Sequence, residues 1–170
     1  MDYSKLPLYS DINEDVNVPF PRSMKFILNN YKHINKPTKS LEEIEKIRKR
    51  DTQIGKTATR IIKREKIFKT IQMSNFRIPA NGVEIPIRIF SHSDRAPNCT
   101  NRIFIHFHGG GWIHGDLEFY SPTCLRYAHY FDATVISVDY RKSPEYKFPI
   151  PFMDCAEITK WIIENKCLFG

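Results

Sequence analysis

The sequence predicts an α/β fold, in which a parallel sheet with helices follows an antiparallel hairpin. The first observation is the dipeptide Asn81-Gly82, which separates two strand-like runs and favours a two-residue hairpin turn. The second is a pair of short apolar runs, 102–107 and 134–138, each followed by a stretch with helical spacing. Strand, helix, strand and helix in this order are typical of a parallel α/β sheet.

A helical region is predicted before the hairpin, so the chain divides into residues 1–70 and 71–170. Ser40 and Glu43 have the spacing of a capping box, in which each side chain accepts from the backbone amide of the other residue. Apolar periodicity predicts helices at about 22–31, 40–50 and 53–69.

The second region contains the sheet. Alternation of apolar residues predicts strands over 71–78 and 83–90, and the apolar run 102–107 suits a strand buried on both faces. Ser121-Pro122 predicts a helix start, with a serine cap and proline in the first turn. Pro151 is expected to open the last helix in the same way.

The net charge of +7 is concentrated between Lys46 and Lys69. No aromatic residue lies among the basic residues there to stack on bases, which disfavours nucleic-acid binding. We therefore predict the solvated face of a helix, and contact with an anionic membrane surface stays open. The apolar stripe expected to pack on a core beneath these charges is Leu41, Ile44, Ile47, Ile54, Ala58, Ile61 and Ile62.

Composition limits the class of protein further. No apolar run is long enough for a transmembrane helix, and the first residues lack the apolar segment of a signal peptide. The cysteines show no CxxC pair, which favours reduced thiols over a disulfide frame or a zinc site. A cytoplasmic protein is therefore predicted. The four cysteines are Cys99, Cys124, Cys155 and Cys167.

Three consecutive glycines follow the strand predicted at 102–107, in the segment FIHFHGGGWIHGD. This segment matches neither a Walker loop nor a dinucleotide loop, because the lysine of the first and the third glycine of the second are missing. His106 and His108 share a strand face, as metal ligands would, but a hydrogen-bonded pair is the commoner case. The remaining chemistry is an oxyanion hole, since HGGG after a strand is the backbone donor element of esterases.

Two ordered motifs carry a resemblance to a family. His108 to Trp112 reads HGGGW, and Val138 to Glu145 reads VDYRKSPE. With Phe148-Pro149 and Asp154, these resemble the hormone-sensitive-lipase group of α/β-hydrolases. The resemblance covers about residues 70–170. It implies the N-terminal part of an α/β-hydrolase sheet, preceded by a helical cap region.

The resemblance also implies roles for the glycine turn. Gly110 and Gly111 would donate their amides to an oxyanion, and Gly109 would shape the turn. His108 would be a structural residue below the loop. Trp112 would line the substrate pocket, although a core aromatic is an equally good interpretation.

Other residues of the second motif receive structural roles by the same resemblance. Arg141 and Glu145 would form an ion pair that fixes the loop. Asp139 would be structural, because the group places its catalytic acid far downstream. No metal or organic cofactor is implied, and the substrate of the complete enzyme would be a small ester or acyl compound.

The nucleophile is missing from these residues, because no GxSxG occurs in the sequence. Ser121 and Ser143 are expected in loops without an elbow, and Cys124 and His129 would point to different faces of one helix. We therefore expect the chain alone to be inactive. A fragment, a truncated gene and a degenerate copy all remain open.

A different class of function is a non-catalytic binding or interaction protein derived from the hydrolase fold. In the group's sheet order, the strand at 102–107 normally pairs with the nucleophile strand. Without that neighbour it is expected to be an exposed edge, which favours self-association or pairing with another chain.

Overall fold

A computed structural model of the chain describes residues 40–93 and 102–169. The helix predicted at about 22–31 lies outside the described residues. The elements in chain order are helix α1 (Leu41–Ile62), a 3-10 helix (Lys66–Phe68), strands β1 (Ile71–Ala80), β2 (Val83–His92) and β3 (Ile103–Phe107), helix α2 (Leu117–Tyr130), strand β4 (Thr134–Val138), helix α3 (Ile150–Glu164) and a second 3-10 helix (Lys166–Leu168).

Helix α1 begins at the predicted capping box. The Ser40 hydroxyl accepts from the amide of Glu43 at 3.2 Å, and the Glu43 carboxylate accepts from the amide of Ser40 at 3.0 Å. The expectation of two helices, 40–50 and 53–69, was wrong, because one continuous helix runs to Ile62. Asp51, near the expected break, instead faces the interior of the fold.

The apolar stripe of α1 was only partly assigned correctly. Ile44 and Ile62 are buried, whereas Leu41, Ile54 and Ile61 are exposed. The buried side of the helix consists of Ile44, Asp51, Gly55, Thr59 and Ile62. Small and polar residues lie on this side because α2 crosses α1 closely, so hydrophobicity alone points to the wrong face.

The hairpin is confirmed. β1 and β2 pair antiparallel from Ile71 opposite His92 to Ala80 opposite Val83. Asn81 and Gly82 have φ values of 51° and 74°, and such a pair of positive angles matches the twist of a two-residue hairpin.

The described sheet has the order β1-β2-β4-β3, with β3 parallel and β2 antiparallel to β4. The fully buried strand is therefore β4, which has a neighbour on each side. The expectation that 102–107 would be buried on both faces was wrong, because the side chains of β3 are only partly buried. β3 is the edge strand of the sheet in the described part of the chain.

Helix α2 starts earlier than predicted. The carboxylate of Asp116 caps it by accepting from the amide of Phe119 at 2.7 Å, so Ser121 and Pro122 lie inside the helix. Pro122 cannot donate to the carbonyl of Glu118, and that carbonyl instead lies against Gly55 of α1. In α3, Pro151 lies in the first turn, as predicted.

Two hydrophobic clusters fill the two faces of the sheet. On one face, β2 and β4 pack against Ile158 and Ile162 of α3. On the other face, Phe90 and Val135 pack against Leu125 of α2. This layering of helix, sheet and helix is that of an α/β protein.

Four sequence predictions outside the sheet had different outcomes. Cys124 and Cys155 are free, but Cys167 is disulfide-bonded, so the prediction of reduced thiols throughout was wrong. None of the helices in residues 40–93 and 102–169 is long and apolar enough to cross a membrane. The domain boundary at residue 70 and the cytoplasmic location stay predictions.

Candidate active site

The glycine turn lies where the sequence placed it, at the carboxyl end of a strand. β3 ends at Phe107, and the neighbouring parallel strand β4 ends at Val138. The loops that follow them run side by side, since the amide of Ser143 donates to the carbonyl of Trp112 at 2.8 Å. In open α/β sheets, ligands bind at this end of the strands.

The turn requires glycine at specific positions. The amides of Ile113 and His114 both donate to the carbonyl of Gly110, at 3.1 and 3.0 Å. Gly110 has a φ of 125°, and a Cβ there would lie 2.3 Å from the carbonyl oxygen of His114. Gly111 has a φ of 62°, but a Cβ there would meet nothing within 4 Å. Close approach therefore excludes a side chain at Gly110, and backbone conformation alone favours glycine at Gly111.

Two backbone donors of the turn have no protein acceptor among the described residues. Among residues 40–93 and 102–169, neither the amide of Gly110 nor that of Gly111 donates a hydrogen bond to the protein. Most amides in folded proteins are paired with protein or water. Two adjacent amides of the turn are therefore unpaired within the described residues, and such a pair can bind an anionic or carbonyl oxygen.

His108 lies below the turn and cannot reach a substrate. Its side chain is fully buried, and its ring stacks on those of Tyr140 and Tyr120, with centroids 4.4 and 5.5 Å away. Nδ1 donates to the carbonyl of Gly109 at 2.8 Å, and the Tyr140 hydroxyl donates to the carbonyl of His108 at 2.5 Å. His108 therefore contacts the entry to the turn, and its structural role stays a prediction.

Trp112 lies at the mouth of a cavity. It has a φ of 61°, its side chain is 46% exposed, and it is not a core aromatic. Its ring contacts that of Tyr140, with centroids 5.1 Å apart. The cavity has a volume of about 280 Å³ and is lined by Gly111, Trp112, Ile113, Ser143, Phe148, Pro151 and Phe152.

The prediction of an ion pair between Arg141 and Glu145 was wrong. Arg141 instead binds the fully buried carboxylate of Asp154 through Nε at 2.8 Å and Nη2 at 2.6 Å. Asp154 also accepts from Asn81 in the hairpin turn, at 3.1 Å. Glu145 binds Arg48 of α1. The loop after β4 is thus held by a helix on each side rather than by a pair within itself.

Asp139 lies beneath the loop beside His108 and Lys142. The Lys142 ammonium contacts its carboxylate at 2.5 Å, and Nε2 of His108 lies 3.8 Å away. Burial raises the pKa of the Asp139 carboxyl, but contact with His108 and Lys142 outweighs burial and holds this pKa below its usual range. Asp139 is therefore a charged partner of these two residues, which fits a structural role.

Cys124 is not activated as a nucleophile. It is fully buried, and burial raises the pKa of its thiol to about 12. His106, rather than His129, lies beside it, with Nδ1 3.5 Å from the sulfur. Burial, with the nearby His108, lowers the pKa of the His106 imidazole to about 4, so this pair is neutral at physiological pH.

The two candidate serines are occupied by structural hydrogen bonds. Ser121 is a buried residue of α2 rather than a loop serine, and its hydroxyl donates to the carbonyl of Leu117 at 2.6 Å. Arg88 donates to the same hydroxyl at 2.9 Å. The hydroxyl of Ser143 donates to the carbonyl of Tyr146 at 3.1 Å. Neither serine has a general base beside it, and no cluster of metal ligands occurs within the described ranges.

Helix α1 supports the turn, which the sequence did not indicate. Arg48 donates to the carbonyl of Ile113 at 2.8 Å, and Thr52 donates to the carboxylate of Asp116. A Cβ on Gly55 would lie only 2.1 Å from the carbonyl oxygen of Glu118. The available signal was Gly55 itself, because a glycine inside a strong helix usually has a packing reason.

Comparisons with known proteins give relatives for the second part of the chain. A family model described as alpha/beta hydrolase fold matches residues 104–170. An arylesterase of Saccharolobus solfataricus is 40% identical over 91 residues, which is 54% of this chain and 29% of that protein. Arylacetamide deacetylase of Bos taurus is 36% identical over 87 residues, which is 50% of this chain and 22% of that protein.

Solved structures give the same result. A structure of an arylesterase has a TM-score of 0.58 at 28% identity, covering 90% of this chain and 46% of that one. Esterase LipW from Mycobacterium marinum has a TM-score of 0.62 at 26% identity, covering 74% and 38%. The chain thus spans less than half the length of these relatives. The comparisons confirm the fold class and the resemblance predicted from the sequence.

Proposed function

Since this chain has the α/β-hydrolase fold and resembles the hormone-sensitive-lipase group of esterases, we propose that it forms the oxyanion-hole part of a carboxylic-ester hydrolase. The observation that carries this proposal is the glycine turn at the carboxyl end of β3. Its amides at Gly110 and Gly111 have no protein acceptor in the described part of the chain, and Gly111 lines an apolar cavity.

The chemistry follows from the position of these donors. When a nucleophile attacks an ester carbonyl, the carbonyl oxygen gains negative charge, and the two amides stabilise this charge in the transition state. Trp112, Phe148 and Phe152 in the cavity wall would receive an apolar group of the substrate. His108 and Tyr140 hold the turn without touching the substrate, which preorganises the donors.

The nucleophile has to come from outside these residues. No GxSxG occurs in the sequence, Cys124 is buried and neutral, and Ser121 and Ser143 lack a base. We therefore propose that the 170-residue chain alone does not turn over esters. Stoichiometric labelling by a fluorophosphonate together with turnover of a p-nitrophenyl ester would refute this proposal.

A chimera tests the oxyanion hole directly. Residues 102–169 replace the matching segment of the Saccharolobus solfataricus arylesterase, and hydrolysis of a p-nitrophenyl ester is measured. Gly110→Pro removes one donor and cannot adopt the φ of 125° found at Gly110, so kcat should fall by at least about 10²–10³-fold. KM should change much less, because the donor acts mainly on the transition state.

The control for this chimera is its folded state. The melting temperature and fluorophosphonate labelling of the parent chimera establish that its fold and its nucleophile are intact. If Gly110→Pro stays folded and keeps full kcat, the glycines are only a structural turn, and the oxyanion-hole proposal is wrong.

The edge position of β3 supports a second candidate, a non-catalytic interaction protein. In the described sheet, β3 has a neighbour only in β4, and an unpaired edge is a template for another chain. Analytical ultracentrifugation distinguishes the two candidates. A stable dimer that is lost when Ile105 is replaced by lysine favours association, and a monomer argues against it.

A further inference from the structure

We propose that Arg48 is a positioning residue that holds the glycine turn and the loop after β4 at a fixed spacing. This inference rests on the proposed function, because its importance depends on the role of the turn. Arg48 Nε donates to the carbonyl of Ile113 at 2.8 Å, on the first loop. Its Nη2 donates to the carbonyl of Ser143 at 2.7 Å, on the second loop.

A carboxylate on the second loop completes the set of acceptors. Nη1 and Nη2 of Arg48 donate to the two oxygens of Glu145, at 2.7 and 3.0 Å. The hydrogen bond from Arg48 is the main reason that the pKa of Glu145 lies below its usual range. One guanidinium therefore makes four hydrogen bonds to two loops, and two of these bonds are to backbone carbonyls.

This set of contacts requires arginine. A guanidinium presents donors in a rigid planar fork, whereas a lysine ammonium is a single point of charge. The acceptors at Ile113, Ser143 and Glu145 bind all three guanidinium nitrogens, and the side chain of Arg48 is only 23% exposed. A lysine at this position would reach one or two of these acceptors and leave the others without a donor.

The contact at Ile113 acts directly on the turn. The amide of Ile113 closes the turn on the carbonyl of Gly110, and Arg48 binds the carbonyl of the same residue. Both the amide and the carbonyl of Ile113 are therefore hydrogen-bonded, the first within the turn and the second to Arg48. Without Arg48, the two loops are still joined by the hydrogen bond from Ser143 to Trp112 and by the hydrogen bond from Tyr140 to His108, but neither of these contacts Ile113.

Helix α1 determines where Arg48 lies. Gly55 allows α1 to touch the backbone of α2, and Thr52 binds the cap residue Asp116. Arg48 projects from the same side of α1 one and two turns before these residues. The position of the turn amides is thus set by α1, which is distant in the sequence.

Selective labelling makes the turn visible in the 170-residue protein. In the sequence, Gly110 and Gly111 are the only glycines that follow another glycine. If glycine is labelled with ¹³C at the carbonyl and ¹⁵N at the amide, an HNCO spectrum contains only these two amides. Their chemical shifts and order parameters then report on the turn without any enzymatic assay.

Arg48→Ala should shift both peaks, and the order parameters should fall from about 0.85 to below about 0.6, the range of flexible backbone. Arg48→Lys should give an intermediate result, and Glu145→Gln a small one, because the bonds to the two backbone carbonyls remain. Arg60→Ala is the matched control, since Arg60 lies on the exposed side of α1 and should leave both peaks unchanged.

The amide of Gly82, in the distant hairpin turn, reports in the ordinary ¹H–¹⁵N spectrum whether each variant is folded. Unchanged peaks in folded Arg48→Ala would overturn the proposal, and so would equal changes in Arg60→Ala. If Arg48→Ala unfolds, Arg48→Lys decides, because unaltered peaks there contradict the need for the guanidinium fork. These outcomes are independent of ester hydrolysis, so a failure here and a failure of the oxyanion hole are distinguishable.

Discussion

Replacing Gly55 by alanine has two opposite effects on the stability of the protein. In a helix interior, alanine is more favourable than glycine by about 1 kcal/mol, so helix propensity alone predicts a more stable protein. The close crossing of α1 and α2 predicts the reverse. A Cβ on Gly55 would lie 2.1 Å from the carbonyl oxygen of Glu118 and 2.4 Å from Cα of Phe119.

These distances indicate how far the helices have to move. Ordinary contact with a Cβ begins near 3.4 Å, and the atoms in the way are backbone that no rotamer change can remove. The helices therefore separate by about 1 Å, which costs about 1–3 kcal/mol as overpacking. The same movement stretches the hydrogen bonds of Arg48 and Thr52, each of which contributes about 1 kcal/mol. We expect Gly55→Ala to lower the free energy of unfolding by about 2 kcal/mol.

The assay is urea denaturation followed by far-UV circular dichroism, with thermal melting as a second measurement. A loss of about 2 kcal/mol corresponds to a decrease in Tm of roughly 4–10 °C for a domain of this size. Gly82→Ala is the matched control, because its Cβ meets nothing within 4 Å and only the positive φ opposes it. This control should lose about 1 kcal/mol. If Gly55→Ala is as stable as the parent or more stable, the close crossing of the helices is refuted.

Three further predictions concern charge. His106→Gln removes an imidazole whose pKa is lowered by burial to about 4. The imidazole takes up a proton in the unfolded chain below its ordinary pKa but stays neutral in the folded protein, so the parent becomes less stable as the pH falls. Between about pH 7.5 and pH 5, urea denaturation should show that the free energy of unfolding falls by about 2 kcal/mol more in the parent than in the variant, and equal decreases would contradict the lowered pKa. Asp154→Asn leaves Arg141 without its charged partner and should lower the free energy of unfolding by about 3 kcal/mol at neutral pH. Glu157 is an exposed acidic residue on the same helix, so Glu157→Gln should hardly change the free energy of unfolding. Interactions with Arg141 and Asn81 outweigh burial and hold the pKa of Asp154 low, so the cost should shrink as pH falls through that lowered value. The basic helix should not bind single- or double-stranded oligonucleotides with sub-micromolar affinity at physiological salt, as fluorescence anisotropy would measure, because non-specific contact is weaker than that.

The sheet was predictable because its signals are local. Asn81-Gly82 determines its own turn, and Thr134–Val138 is a β-branched run whose ends coincide with the strand in the structure. The glycine turn was recognisable for a related reason. Only glycine fits the close approach at Gly110, so the sequence there reports backbone geometry directly.

The start of α2 and the partner of Glu145 were not predictable, because the sequence offers more than one possible cap and more than one possible ion-pair partner nearby. Asp116 and Ser121 are both good caps, and the contact of Asp116 with Thr52 on α1 accompanies the observed start. Arg141 lies four residues from Glu145, yet the buried Asp154 binds it with better geometry. Arg48 likewise looked like part of a solvated basic run, since its acceptors on the other loops are far away in sequence.

The central position of β4 also determines when the sheet can be completed during synthesis. β1 and β2 are adjacent in the chain, but β3 and the inner edge of β2 both require Thr134–Val138. A ribosome adds roughly 5–20 residues per second, so roughly one to five seconds pass between the synthesis of β3 and the synthesis of β4. During that interval, the apolar strand Ile103–Phe107 has no backbone partner in the hairpin already made, so its edge is open to pairing with another chain. The arrival of β4 then covers both edges in a single step.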